Sequence, residues 1–194
     1  MRKLLLALVL IAPAAIAQAK PPAPPPAPAA NQIIGSARAP LPPRESEYIG
    51  IVQEARRQYL SARNIDARRN ARMAMQSATH NFMGLSHNVM DWVGVFKDSK
   101  KNPTGTQSVE IEISPNVTIE TWDNPASDAT YFTLFQQTSP MGKLVSSLQI
   151  GDEVVFSADL IGATISTDEE MVLHPRIIGK FSKLEKIAPP PAAK

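Results

Sequence analysis

The apolar residues of this chain change their spacing once, at Gly84, and that change orders everything that can be built from it. Before Gly84, Tyr48, Val52, Ala55, Tyr59 and Ala62 recur at intervals of three and four, which predicts a helix with one buried stripe. Glu45 and Glu47, with Ser46, suit its first turn. Asn64-Ile65-Asp66 breaks or bends the pattern, and Ala67, Ala71, Ala74 and Ala78 continue it in a second helix. Gly84 is expected to end the helical segment. After it the period is two, the signature of strands.

The first strand is expected over 87–96, with Met90, Trp92, Gly94 and Phe96 on one face. Val109 to Ile113 and Val117 to Trp122 alternate on either side of Ser114-Pro115-Asn116, which predicts a hairpin. One or two helical turns are expected over 141–148. Gly151-Asp152 then turns the chain into a fourth strand marked by Val154, Phe156, Ala158 and Leu160. Asp168-Glu169-Glu170 reads as a polar loop, and a last strand as running from about 172 to 181, with an extension toward Ile187. Five strands with a short helix in the third connection are the element order of the OB-fold, a small Greek-key barrel. Gly94 suits the bend that the first strand of such a barrel must make. The fold class is therefore mainly β: a five-stranded OB-fold-like barrel over 84–187, preceded by a helical segment over 45–83.

The first residues carry another kind of information. Met1-Arg2-Lys3 precedes an apolar run from Leu4 to Ala12, and the small-x-small sites Ala15-Ile16-Ala17 and Ala17-Gln18-Ala19 follow. This is the pattern of a cleavable signal peptide, 1–19, with the cut after Ala17 or Ala19. The run is shorter than the ~20 residues that span a bilayer. No second run of spanning length follows, so the mature chain is expected to lack a transmembrane segment. A periplasmic location follows, with secretion outside the cell as the alternative. Residues 20–44 are rich in Pro and Ala, which favours an extended, semi-rigid spacer. It serves either as a plain tether or as a ligand for a proline-binding groove. The tail, 188–194, has similar composition and is expected to be flexible. Cysteine is absent, so stability must come from a hydrophobic core and not from disulfides.

The quoted motifs carry a resemblance. Met90-x-Trp92-x-Gly94-x-Phe96, the hairpin, Leu144 and Leu148, and Gly151-Asp152-x-Val154-x-Phe156 together resemble bacterial OB-fold domains of the anticodon-binding-like (tRNA-anti-like) type, over about 84–187. The resemblance implies the barrel, and an exported protein with a helix before it. It does not choose a ligand, because OB-folds host many.

Chemistry is sparse. His80, His87 and His174 lie far apart, and no zinc motif, nucleophile elbow or phosphate loop appears. The sequence reads as a non-catalytic binding or adaptor module, without cofactor or metal, whose partner is another envelope protein or a polymer. On the hairpin, Val117 and Ile119 are expected to point in, so Thr118, Glu120 and Trp122 point out, beside Glu110 and Glu112. That is the usual ligand face of an OB-fold, and it offers an oligosaccharide or nucleic-acid site around Trp122. Trp122 either stacks on a ligand or lies under the preceding helix. Glu110, Glu112 and Glu120 would repel phosphates, and without Arg2 and Lys3 there are 18 basic and 18 acidic side chains, so nucleic acid is not the expected partner. Arg56, Arg63, Arg68 and Arg72 give the helices a basic face, which suits an anionic partner or pairs within the chain. The nearest acidic surface is the hairpin, and the first helix is expected to lie on it, with arginines reaching Glu110, Glu112 or Glu120.

Processing is directly testable. N-terminal sequencing of protein from the envelope fraction should find Gln18 or Lys20 first, and an intact Met1 on membrane-bound protein would overturn the export reading.

Overall fold

The computed structural model of the chain describes residues 41–164 and 167–188. The expected signal peptide, the spacer through residue 40 and the tail from residue 189 lie outside the described residues.

Helix α1 spans Pro43–Ser61, two residues earlier than expected, because proline is tolerated at the first helical position where no N–H bond is needed. Glu45, Tyr48, Ile49, Val52, Ala55 and Tyr59 form its buried stripe. Asn64 breaks the helical run as expected: its side chain accepts a hydrogen bond from Ala67 N (2.8 Å) and caps α2, Ile65–Leu85. The stripe of α2 is Ala71, Met75 and Phe82, whereas Ala74 is exposed. Gly84 does not end this helix. Leu85 is its last residue and Ser86 leaves in extended backbone (φ −170°). Arg44 serves carbonyls at this end, donating to Phe82 O (3.1 Å) and Ser86 O (3.0 Å), and it lies over the Phe82 ring. Among the described residues no helix is long and apolar enough to cross a membrane.

Seven strands and two further helices follow: β1 (Asn88–Asp98), β2 (Thr106–Gln107), β3 (Glu110–Ser114), β4 (Val117–Glu120), β5 (Phe135–Gln136), α3 (Pro140–Ser147), β6 (Glu153–Ala163), α4 (Asp168–Leu173) and β7 (Arg176–Lys186). Five strands close a barrel in the order β1-β3-β4-β7-β6, and β2 and β5 make a separate pair. Every barrel pairing is antiparallel except β4 with β7. Along β6, Val154, Phe156, Ala158 and Leu160 are buried in the expected alternation.

The first strand departs from its expected pattern at one point. Val89 pairs with Ala158 and Trp92 with Phe156, so β1 advances one residue more than its partner. Asp91 absorbs the extra residue with φ 55°, and its N–H donates to Ser157 Oγ (3.1 Å). A one-residue bulge moves preceding side chains to the opposite face. Val89 is therefore buried, and Met90, expected beside Trp92, is 68 % exposed. Gly94 answers a close approach: a Cβ there would stand 2.3 Å from Ile111 Cγ2 and 3.0 Å from Glu112 O. The polar stretch expected as a loop is α4. Thr167 and Glu170 form a capping box that starts it, and Val172, expected in the last strand, is buried in this helix. The last strand consequently begins at Arg176.

The helices do not lie on the hairpin. Tyr48 stacks on Trp92 (6.0 Å between ring centroids), Phe82 lies 6.3 Å from the same ring, and Glu45 Oε2 accepts the Val93 N–H (2.9 Å). Tyr48 thus meets an aromatic partner in β1, which buries more apolar area than a glutamate-bearing strand offers. Trp92 also meets Phe156 edge-on (6.4 Å), and both are 0 % exposed. Removing a buried aromatic ring costs about 3–5 kcal/mol. Trp92→Ala should lose that much in urea unfolding, and Trp122→Ala, at a half-buried position, much less. Small, equal losses would overturn the placement of Trp92 in the core.

Candidate functional site

The hairpin ladder runs one pair past its strands: Thr121 N donates to Val109 O and Val109 N to Thr121 Oγ1, both at 3.0 Å. Trp122, the next residue, is held by its N–H to Thr133 Oγ1 (2.9 Å) and is half-buried. Its indole Nε1 is closed to solvent and has no hydrogen-bond partner among the described residues.

Trp122 borders a groove of about 560 Å³, whose walls include Glu110, Glu120, Asp123, Lys100, His174 and Arg176. None of its lining residues belongs to α1 or α2. Glu120, expected to point outward, is only 5 % exposed. Strand β7 runs parallel beside it, with Glu120 paired to Ile178 in register, and Arg176 comes from the start of that strand. The guanidinium donates from Nε to both carboxylate oxygens (3.1 and 2.9 Å) and from Nη2 to Oε2, and it stands 3.9 Å from Glu110. Forked pairs of this kind fix orientation as well as charge.

Burial raises the Glu120 carboxyl above its usual range; Arg176 opposes that, while Glu110 and Asp123 add to it. The bonds to Glu120 raise Arg176 in turn. Asp98, Glu110, Glu120, Asp123 and Glu170 face Lys100 and Arg176 around the groove, five carboxyl groups against two cations. The surface suits neutral or cationic ligands and repels phosphates.

The sequence-derived site residues separate into two groups. Glu110, Glu120 and Trp122 meet in the groove. Glu112 does not line it: it pairs with Lys97 (3.3 Å) and accepts from Asn116 N (2.9 Å), which braces the hairpin turn. The basic helix face is largely used within the protein. Arg56 donates to Leu173 O, Pro115 O and Asn116 O (2.7 Å each) and to Val172 O (3.3 Å). Burial lowers its pKa, though an arginine keeps its charge. Arg68 lies over the Tyr59 ring (5.6 Å), and Arg63 is exposed. Arg72 is partly buried on α2. Among the described residues Arg56, Arg63 and Arg68 make no ion pair with the groove carboxylates; Arg176 does, and sequence reading missed it. Its partner lies 56 residues away across a parallel pairing that no local spacing encodes.

Among the described residues no cluster of three or more His, Asp or Glu is arranged to hold a metal ion. The chain matches no protein-family model and no curated protein.

A carboxyl raised in the folded state keeps its proton longer than in the unfolded chain, so its contribution to stability falls as pH climbs through that interval. Arg176→Met removes the opposing bonds and should push Glu120 higher. The variant should lose about 1–3 kcal/mol at neutral pH. Near pH 4, with Glu120 protonated, the loss should be smaller. Urea unfolding at the two pH values and NMR titration of the carboxyl check this; equal losses and an unchanged titration would show that the pair does not govern the group.

Proposed function

We propose that this chain is an exported, non-catalytic binding or adaptor module of the cell envelope, and that its recognition surface is the groove beside Trp122. Export rests on the sequence of residues 1–19, and a periplasmic location follows from the same pattern. The non-catalytic reading rests on the lack of a recognisable catalytic motif in the sequence. We read the barrel as OB-type because of its strand order, its one parallel pairing between the third and fifth barrel strands, and α3 in the third connection.

One observation carries the choice of surface. The groove opens against the second and third barrel strands, where OB barrels take ligands, and α1 and α2 contribute nothing to its wall. Had the helices docked there, a loop or the helices' outer side would have been the working surface. The partner is another envelope protein or a polymer. The partly exposed Trp122 beside carboxylates favours an oligosaccharide, since a ring face covers the apolar face of a sugar while carboxylates accept from its hydroxyls. The acidic wall argues against nucleic acid.

The test is retention of envelope components on immobilised mature protein. Wild type should retain a component that Trp122→Ala binds about tenfold or more weakly, as expected for a buried aromatic anchor. A single-stranded oligonucleotide should not bind. Identical retention by both proteins would exclude the groove.

A further inference from the structure

Between β4 and β5 the chain makes a loop whose tip bears two aromatic rings. Tyr131 is 45 % exposed and Phe132 69 %. Phe132 also has φ 53°, a left-handed conformation that a bulky residue adopts only when its surroundings impose it. Exposure and strain both disfavour phenylalanine here. Asp128, 7 % exposed, builds the loop from below: its carboxylate accepts from Thr133 N (2.5 Å), Thr133 Oγ1 (2.8 Å) and Leu134 N (3.0 Å). Its carbonyl accepts from Tyr131 N (3.2 Å) and Phe132 N (3.0 Å). Thr133 in turn accepts the Trp122 N–H, so the loop is hydrogen-bonded to the groove's own tryptophan.

We infer that Tyr131 and Phe132 extend the groove at Trp122 into a longer site for a neutral oligosaccharide, with the loop taking the sugar units beyond those at the indole. The inference rests on the groove reading above. Aromatic rings cover the apolar faces of pyranose rings, and a chain of sugars needs platforms repeated along its length. The carboxylates of the groove accept from hydroxyl and amide N–H groups and repel anionic polymers. A rigid, Asp128-braced loop presents its rings with little ordering cost on binding.

The test uses the mature protein with chitobiose and chitotetraose as probes in calorimetric titrations, and a heparin tetrasaccharide as the anionic comparison. Wild type should bind chitotetraose about tenfold more tightly than chitobiose. Phe132→Gly should abolish that length dependence and leave chitobiose binding unchanged. Its melting temperature should stay level or rise, because glycine removes the strain at φ 53°. A ring kept for packing would instead give a lower melting temperature. Tyr131→Ser, exposed and unstrained, gives an independent reading of the same loss. Chitotetraose binding that needs Trp122 but is unaffected by both loop variants would overturn the inference while leaving the groove intact. Binding of neither chito-oligosaccharide, or preference for heparin, would overturn the oligosaccharide reading of the groove and the inference with it.

Discussion

A continuous set of aromatic contacts joins the parts of this domain. Tyr48 and Phe82, from the two long helices, lie 5.4 Å apart and both meet Trp92 of the barrel. Trp92 meets Phe156, Phe156 meets Phe181 at 5.3 Å, and Phe181 meets Phe135 of the small two-stranded sheet at 6.1 Å. Helices, barrel and outlying sheet thus share one core. A chain without cysteine has no cross-link to hold such layers together, so burial and ring packing must do it. Because the helices are committed to the Trp92 side, the hairpin's own acidic residues are left to find partners within the barrel.

That consequence shapes the groove. A carboxylate as buried as Glu120 requires a cation, and the sheet supplies one from the strand paired beside it. Arg176 is held by that bond and by its place at the start of β7, directly after α4 and Pro175. The remaining carboxylates of the wall are not matched in number by cations, which leaves the acidic excess as a property of the open surface.

What was legible in the sequence follows the same physics. Alternation identified Val154 to Leu160 of β6 residue by residue because the extra residues in its pairings there lie on the partner strands, β1 and β7, so the face of β6 itself is not shifted. It misplaced Met90 because a bulge at Asp91 shifts the face by one residue, and nothing in the local pattern announces a residue in left-handed backbone. The helix α4 is too short for periodicity to show, although Thr167-x-x-Glu170 is a capping-box signature that was there to be read. Trp122, Glu110 and Glu120 were identifiable as neighbours on a hairpin. Their closure by Arg176 was not, since a parallel pairing between distant strands leaves no trace in spacing. The first helix was expected on the hairpin near Trp122, but its Tyr48 ring packs on the buried Trp92 of β1, and an exposed ion pair contributes about 0–1 kcal/mol where a buried ring contributes several times that.

The arginines of α1 show where the charge went instead. A helix ends with carbonyls that have no partner within it, and both α2 and α4 end without a glycine cap. Arg44, at the start of α1, serves the end of α2; Arg56, three turns on, serves the end of α4 and the hairpin turn as well. Positive charge at a helix C-terminus is also favoured by the helix dipole. One helix thereby fixes the ends of two others through carbonyls, a use of arginine that resembles a basic binding face in sequence and is spent on architecture in the fold. Arg56 ties α4 to the β3–β4 turn, and Glu170, His174 and Arg176 of the groove wall lie on or directly after α4. The basic helix and the acidic groove are therefore linked after all, through a short helix between them and not by direct contact.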